Sequence, residues 1–297
     1  MSIVVTGATG ALGRLVIDEL LTAGVPADGI AAVVRNKEKA AGLAERSVEL
    51  RIADYSAPET LAGAFRAGDR VLLISGSEVG QRVAQHTAVI AAAKEAGVAQ
   101  LAYTGILGGP QADFVLADEH RATEELILDS GLPYTFLRNG WYTENYTAHL
   151  EPVLAHGAVV SNAGEGRVAS AARADYAAAA AAVLTGEGHL GRAYELSGDV
   201  AWSFAEYAAE VARVTGKEID YRAVTPEVHL GILTGAGIPA PFAEILVDVD
   251  LAIERGRLAG TSGELSRLIG RPTTPIAQSI AQAVAQSTAQ STAATVA

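Results

Sequence analysis

Residues 3–13 read IVVTGATGALG, and the rest of the chain can be interpreted outward from this stretch. An apolar run, Ile3-Val4-Val5, is followed by glycines at positions 7, 10 and 13 and then by apolar residues at helical spacing. This order predicts a strand, a tight turn and a helix. Such a turn directs backbone N–H groups and the positive end of a helix dipole at one point, which suits a pyrophosphate.

The three glycines have separate expected roles in that turn. Gly7 allows the tight turn, Gly10 lets the backbone approach a phosphate, and Gly13 lets the helix pack closely on the strand. The spacing G-x-x-G-x-x-G differs from the G-x-G-x-x-G fingerprint of dinucleotide-binding proteins. A glycine-rich turn without a ligand is therefore the alternative, although the position directly after an apolar strand favours a binding site.

Composition narrows the class of protein. The 297 residues suffice for one large α/β domain, or for one domain with a smaller lobe. The net charge of -12 is spread along the chain without a basic run, which argues against nucleic acid as a partner. The chain has no cysteine, which excludes disulfides and thiolate metal sites, and it has no apolar stretch long enough to span a membrane. A strand that begins at the second or third residue leaves no room for a signal peptide, so we expect a soluble cytoplasmic protein.

Apolar runs and helical patterns alternate as far as residue 145. Predicted strands cover residues 3–5, 30–34, 48–52, 71–74, 100–104 and 134–137, and the predicted helices between them include 58–66, where Leu61 and Phe65 recur at helical spacing. The alternation predicts an α/β fold with a Rossmann-type doubly wound parallel sheet in residues 1–145, completed by later segments. Ligands of such sheets bind at the carboxyl ends of the strands, so the polar residues that follow the strands should surround one crevice.

The pattern loosens after residue 145. A long helix is predicted over residues 142–156 and shorter strands and helices follow, so residues 146–284 are expected to form a smaller C-terminal α/β lobe over the crevice. The last residues, 285–297, read AQSTAQSTAATVA and have no apolar face. We expect a frayed or disordered low-complexity tail there.

Two polar residues that follow strands bear on the choice of dinucleotide. Arg35 follows the second strand, where an acid accommodates a bare ribose and a cation accommodates a 2′-phosphate, so Arg35 with Lys37 and Lys39 nearby argues for NADPH over NADH. A guanidinium can also stack on adenine, which would serve either dinucleotide, and a plain surface arginine is the alternative. Asp54 follows the third strand and is placed either to bind an adenine amino group or to cap a helix.

The proton relay of common short-chain dehydrogenases, Tyr-x-x-x-Lys, is missing. None of the four lysines (Lys37, Lys39, Lys94 and Lys217) lies four residues after a tyrosine. The reaction is therefore expected to need hydride delivery with little help from a protein acid. His120 lies near the place of that lysine and could hydrogen-bond a ribose or protonate a product, with a half-exposed helix histidine as the alternative. His149 and His156 lack a carboxylate at ligand spacing, and no metal site is predicted.

Residues 139–145 read NGWYTEN and directly follow the sixth strand. Trp141 and Tyr142 beside Asn139 and Glu144 could provide a flat stacking surface together with anchors for a carboxamide. The alternative is that the two aromatic rings pack the second lobe against the first. We favour a binding site.

Several of these segments resemble those of one family. The strings TGATGALG, VVRN, ADYS, LLISGSEVGQR, AAKEAGV, LADEH, LRNGWYTENY and SAARADYAAAAA are similar to those of bacterial NADPH-dependent quinone oxidoreductases of the NmrA-like, atypical short-chain dehydrogenase group. The resemblance extends over most of the chain and excludes the terminal tail. It implies a Rossmann domain with a small C-terminal lobe, NADPH as the hydride donor and a small-molecule quinone as the acceptor, without a flavin.

The resemblance also implies a set of site residues. The pyrophosphate would lie on Gly7, Ala8, Thr9, Gly10, Ala11 and Leu12, and the 2′-phosphate on Arg35. The ribose and nicotinamide would contact or lie near Ser75, Gly76, Ser77, Asn139, Gly140, Trp141, Tyr142, Thr143, Glu144 and Ser170. The quinone would lie over the nicotinamide, between residues 139–142 and the loop 77–82. Candidate catalytic residues are Asn139, Tyr142 and His120.

One departure from the family pattern bears on the activity expected of this chain. A residue with a hydroxyl usually follows the Tyr-Thr of the fifth strand in this group, whereas this chain has Gly105. One alternative to a quinone reductase is an NmrA-like redox sensor that binds NADP(H) without catalysis. Another is a reductase of a different flat conjugated acceptor. The sequence leaves the acceptor and the oligomeric state open.

Overall fold

The computed structural model describes residues 1–148 and 150–296, with side chains described as far as residue 286. Its strands are β1 (Ile3–Val5), β2 (Ile30–Val34), β3 (Glu49–Ile52), β4 (Arg70–Leu73), β5 (Gln100–Ile106), β6 (Tyr134–Asn139), β7 (Ala158–Ser161), β8 (Arg167–Val168), β9 (Arg192–Leu196), β10 (Trp202–Ser203) and β11 (Asp220–Ala223). Its helices are α1 (Ala11–Thr22), α2 (Ala41–Ala44), α3 (Arg82–Ala96), α4 (Ala117–Ser130), α5 (Glu144–Thr147), α6 (Leu150–His156), α7 (Arg173–Thr185), α8 (Phe204–Thr215), α9 (Pro226–Gly235), α10 (Ala240–Glu254), α11 (Glu264–Ile269) and α12 (Ile276–Val296).

Seven strands form one parallel sheet in the order β3-β2-β1-β4-β5-β6-β9. The strand order reverses between β1 and β4, so the loops that follow these two strands diverge and leave a crevice between them. The structure confirms the predicted Rossmann-type doubly wound sheet. β2 has the predicted bounds because all five of its residues are buried, which produces a continuous apolar run in the sequence.

Helices cover both faces of the sheet. α1 and α7 pack against each other on one face, where Val16, Ile17 and Leu184 are fully buried. α3 and α4 cover the other face, where Val89 and Ile127 are fully buried. Segments beyond residue 145 therefore take part in this unit, because α7 is one of its helices and β9 adds the last strand beside β6.

A second hydrophobic core is built mainly from residues after 145. The rings of Trp202, Phe204 and Tyr207 surround Tyr146 with centroid distances of 5.0, 5.5 and 5.9 Å. Two small sheets frame this core, an antiparallel pair β10-β8 and a parallel pair β11-β7. The core reaches the large sheet at Ile106, the last residue of β5. A boundary between two domains at residue 145 stays a prediction.

The helix predicted over residues 58–66 is wrong. The structure has a short 3-10 helix, Pro58–Leu61, in its place. Gly63 then takes a φ of +84°, in the left-handed region, and this conformation ends the helical path. Leu61 and Phe65 are both buried against the sheet, which explains their spacing without a helix.

Two further segments differ from the prediction. The single helix predicted over residues 142–156 is replaced by α5 and α6, which are interrupted around residue 148. The backbone of α12 is helical as far as Val296, through the segment predicted to be a frayed or disordered tail. The alanine and glutamine residues of that segment have high helix propensity, which explains the difference. Ala297 lies outside the described residues.

Candidate functional site

The glycine turn forms one end of a crevice of about 770 Å³ at the carboxyl ends of the strands. The N–H of Gly10 donates to the carbonyl oxygen of Gly7 at 2.9 Å, and Gly7 has a φ of +58°. A Cβ on Gly13 would overlap the carbonyl oxygen of Gly7 and lie 2.7 Å from Cα of Ala8, so glycine is required there. No described side chain caps the N-terminus of α1, and its first backbone N–H groups therefore remain available to an anion.

Arg35 lies at the mouth of the crevice. Its side chain is 62% exposed, and Nη1 lies 3.2 Å from Oε1 of Glu78 on the loop after β4. Lys39 lines the same region. Arg14 joins this region to the glycine turn, because its guanidinium donates to the carbonyl oxygens of Thr9 and Lys39 at 2.9 and 3.1 Å. The sequence analysis missed Arg14, although a cation in the first turn of α1 could have indicated it.

Asp54 also lines the crevice, after β3. Its Oδ1 accepts the N–H of Ser56 at 2.9 Å, and its own N–H donates to Oγ1 of Thr60 at 2.8 Å. The short 3-10 helix that follows begins after Ala57 and has no side-chain cap, so Asp54 does not have the capping role considered as an alternative. No described residue donates to its other oxygen, Oδ2, which remains available to a ligand.

The loop after β4, with Ser75, Gly76 and Ser77, is held from two sides. The N–H of Gly76 donates to Nε2 of His86 at 3.1 Å, and the carbonyl oxygen of Gly76 accepts from Nε of Arg82 at 2.6 Å.

Because Nε2 of His86 is an acceptor, Nδ1 carries the proton and donates to Oγ1 of Thr123 at 2.9 Å. Burial, and then the charge of Arg82, lower the pKa of His86 to about 4, so it is neutral at pH 7. His86 was missed because only packing brings its position on α3 to this loop.

His120 lies on the wall of the crevice, as the sequence indicated, but it is not half-exposed. Its side chain is buried, and Nδ1 lies 2.7 Å from the hydroxyl oxygen of Tyr103. Burial, and then the charges of Arg82 and His86, lower the pKa of His120 to about 3. A neutral His120 has no imidazolium proton to give to a product at pH 7. Its Nε2 remains as a neutral hydrogen-bonding group for a ligand.

The end of β6 and the segment after it contribute Asn139, Gly140, Trp141 and Tyr142 to the lining. Nδ2 of Asn139 donates to the hydroxyl of Tyr142 at 3.2 Å, whereas the buried Oδ1 of Asn139 has no hydrogen-bond partner. An unpaired buried amide oxygen is costly unless a ligand donates to it. The guanidinium of Arg173 lies 4.5 Å over the Tyr142 ring and also lines the crevice; the sequence analysis did not identify it.

Four residues predicted to contact or lie near the cofactor do not line the crevice: Ala8, Thr143, Glu144 and Ser170. Ala8 is fully buried in the core. Oγ1 of Thr143 lies 2.8 Å from Oγ of Ser170, which also accepts from Nε1 of Trp202 at 3.0 Å. The carboxylate of Glu144 accepts the N–H of Arg173, the first residue of α7, at 2.9 Å. These contacts fix the segment 139–145 in place, and a direct role at the cofactor stays a prediction for these residues.

Apolar side chains form the remaining wall. Ile106, Leu116 and Trp141 line it from the sheet side, and Val79 and Phe242 line it with 45% and 52% of their surface exposed. Phe242 comes from α10, a helix of the second hydrophobic core, and was not predicted, since its sequence context carries no ligand-binding pattern. A wall of this kind suits a flat apolar ligand.

Gly105 also lines the crevice, at the end of β5. A Cβ at this position would lie 3.2 Å from Oε1 of Glu124. That carboxylate is fixed by Arg138, whose Nε and Nη2 donate to its two oxygens at 2.9 and 2.7 Å. The buried ion pair therefore occupies the space that a larger residue would need, which gives a physical reason for glycine where the family usually has a hydroxyl.

The described part of the chain offers neither a metal cluster nor a membrane-spanning helix. Within it, no group of three or more His, Asp or Glu side chains is arranged to hold a metal ion. His156 is exposed, and His149 lies outside the described residues. None of the described helices is both long enough and apolar enough to cross a membrane.

Sequence comparison connects this crevice to known proteins. A family model described as NAD(P)H-binding matches residues 7–187. Quinone oxidoreductase 2 of Escherichia coli (strain K12) is 47% identical over 278 residues, which cover 94% of this chain and 97% of that protein.

Structural comparison gives the same result. The crystal structure of the NADPH-dependent quinone oxidoreductase of Escherichia coli, complexed with NADPH, has a TM-score of 0.92 and 46% identity, covering 94% of this chain and 99% of that one. The Citrobacter sp. triphenylmethane reductase complexed with NADP(H) has a TM-score of 0.91 and 43% identity, covering 95% of this chain and all of that one (100%).

Proposed function

Because this chain belongs to the NAD(P)H-binding family, we propose that it is an NADPH-dependent quinone reductase that works without a flavin. The high identity to a quinone oxidoreductase over nearly the full length of both chains supports the proposal. So does the likeness to a structure of such an enzyme with NADPH bound. The crevice is where such a reaction would take place.

The residues present fit NADPH. The turn Gly7–Gly13 offers uncapped backbone N–H groups to a pyrophosphate, and Arg35 offers an exposed guanidinium to the 2′-phosphate. The unpaired Oδ1 of Asn139 fits the N–H₂ of the nicotinamide carboxamide. When bound, NADPH supplies a hydride from C4 of its nicotinamide.

The chain's own residues position an acceptor more than they activate it. Trp141 and Phe242 provide apolar surface for a flat ring, and the loop with Gly76 is fixed by His86. His120 is neutral, so the protein presents no strong acid beside the acceptor. A quinone suits this arrangement, because it accepts hydride readily and its product can take protons from water.

The proposal rests on one observation. The uncapped N–H groups of the glycine turn, an unpaired amide oxygen and an apolar wall line a single crevice. The chain has no Tyr-x-x-x-Lys proton relay to add to them. Reduction of simple ketones needs such a relay, whereas quinone reduction does not. The acceptor is therefore expected to be a quinone.

The test uses the purified protein with no flavin added. Binding of NADPH and NADH is titrated by calorimetry, and oxidation of NADPH is then followed at 340 nm with benzoquinone or naphthoquinone. We expect tight NADPH binding and rapid oxidation that depends on the quinone. NADPH binding without turnover on any quinone would contradict the proposal and favour a redox sensor that acts without catalysis.

A further inference from the structure

Arg82 is a buried cation on the wall of the crevice. It is the first residue of α3, and 9% of its surface is exposed. Its Nε donates to the carbonyl oxygen of Gly76, whereas Nη1 lies 3.6 Å from Oε2 of Glu119 and has no hydrogen-bond partner. Nη2 has no acceptor among the described residues either. A buried Nη1 without an acceptor is unfavourable unless water or a ligand completes its contacts.

One carboxylate, that of Glu119, pairs with Arg82 without a hydrogen bond, and the neighbouring groups supply no acid. Glu119 is engaged with the backbone, because its Oε1 accepts the N–H of Gly80 at 3.0 Å. His86 and His120 are neutral at pH 7, since burial and the charge of Arg82 lower both of their pKa values. This part of the crevice therefore presents a guanidinium, paired on one side with Glu119, and no protonated imidazole.

We propose that Arg82 binds the oxygen of the hydride acceptor and stabilises the negative charge that develops on it. The proposal rests on the quinone reductase function and deepens it, because it names the property that the acceptor must have. Reduction must place charge on an oxygen, as it does in quinones. Arg82 shares the crevice with Trp141 and Phe242, so a flat ring against these aromatic side chains can direct an oxygen to the guanidinium.

The reaction balances without a protein acid. A quinone that takes one hydride gains one hydrogen and two electrons, and it becomes the hydroquinone monoanion while NADPH becomes NADP⁺. The second proton comes from water. During this step the protein needs a fixed positive group near the oxygen, and a charge that is already in place does not have to reorganise.

The experiment compares two acceptors in two variants. Arg82→Gln removes the charge, and Arg121→Gln is the matched control, because Arg121 lies on α4 and is not among the residues that line the crevice. The acceptors are naphthoquinone and a cationic triarylmethane dye. Hydride transfer to the quinone creates negative charge on oxygen, whereas transfer to the dye neutralises a cation. Arg82→Gln is expected to lower kcat for the quinone by about 10²-fold. With the dye, Arg82→Gln is expected to lower kcat no more than Arg121→Gln does.

Two further readouts separate chemistry from structure. Arg82 also donates to the carbonyl oxygen of Gly76, so the Kd for NADPH is measured for every variant. In Arg82→Gln it is expected to change far less than kcat, because His86 still accepts the N–H of Gly76. The variant Arg82→Ala leaves space for a free guanidinium ion, and adding guanidinium chloride at low concentration is expected to restore quinone reduction in a saturable way. A purely structural role would not produce that rescue.

The outcomes are distinguishable. Equal losses on quinone and dye, a weaker NADPH affinity that accounts for the slower rate, or the absence of guanidinium rescue would each overturn the assignment of Arg82. If the wild-type protein does not reduce the dye, the assignment of Arg82 is tested by the guanidinium rescue of Arg82→Ala and by the NADPH affinity of Arg82→Gln. If the wild-type protein binds NADPH but reduces no quinone, the proposed function itself fails and the assignment fails with it.

Discussion

Replacing Arg35 with alanine should separate the two nicotinamide cofactors. The guanidinium of Arg35 is the exposed cation at the end of β2, where a 2′-phosphate would lie. A hydrogen bond to a charged group contributes about 1.5–3 kcal/mol, which corresponds to a factor of about 10–150 in affinity. Arg35→Ala should therefore weaken NADPH binding by about that factor. NADH binding should change little, because NADH has no 2′-phosphate.

Glu78 should weaken NADPH binding, because its carboxylate competes with the 2′-phosphate for Arg35. Its carboxylate lies 3.2 Å from Arg35, and the two side chains are 48% and 62% exposed. An exposed pair of this kind contributes about 0–1 kcal/mol, and a 2′-phosphate has to compete with it. Glu78→Gln should therefore bind NADPH up to about fivefold more tightly. In the Arg35→Ala background the same substitution should have a smaller effect, because the competition is gone.

Calorimetric titration of NADPH and NADH with the wild type and the three variants checks these values. Lys37→Ala is the matched control, because Lys37 is an exposed cation close by that does not line the crevice. Equal losses for both dinucleotides in Arg35→Ala would refute the assignment of the 2′-phosphate site. So would a Lys37→Ala variant that loses as much NADPH affinity as Arg35→Ala, since the effect would then be one of general charge.

Three other predictions concern the turn, the buried histidine and the apolar wall. Gly13→Ala should lower the free energy of unfolding in urea by about 1–3 kcal/mol, because its Cβ would overlap backbone; Gly42→Ala, with no atom within 4 Å of its Cβ, should not. The pKa of His86 is about 4 in the folded protein and 6.5 in the unfolded chain, so the unfolded state binds more protons between these values. The free energy of unfolding should therefore fall as the pH drops from 6.5 towards 4, and His86→Gln should show a shallower dependence. Phe242→Ala should raise the KM for naphthoquinone by about tenfold without changing the Kd for NADPH, whereas Ile232→Ala, exposed on α9, should change neither.

The central sheet could be predicted from the sequence because its strands are buried on both faces. β1 and β2 were predicted at their observed bounds, since a doubly buried strand reads as an apolar run that ends at polar or glycine residues. The short strands β7 and β10 were missed, because two to four residues give no clear period. The helix predicted over residues 58–66 was wrong because burial of Leu61 and Phe65 in an irregular loop produces the same spacing as a helix face.

The candidate site was predictable where it follows strands along the chain. The glycine turn and Arg35 follow strands, Asn139 ends one, and parallel topology brings strand ends to one edge of the sheet. His86 accepts from Gly76 of the crevice loop from its place on α3, and Phe242 lines the crevice from α10. Both contacts depend on how these helices pack, and packing of this kind leaves no local signal in the sequence.

The crevice brings together cations of two kinds in a chain whose net charge is -12. Arg35 is exposed at the mouth, where water and salt screen its charge, so it can favour one dinucleotide over another without a large cost when the site is empty. Arg82 is buried, where a charge is screened little and is unfavourable without a partner. Glu119 compensates that charge without a hydrogen bond to Nη1, so negative charge on a bound acceptor would add a further favourable contact. Binding selectivity and stabilisation of the reaction therefore require cations in different environments, and burial decides which of the two tasks each arginine can perform.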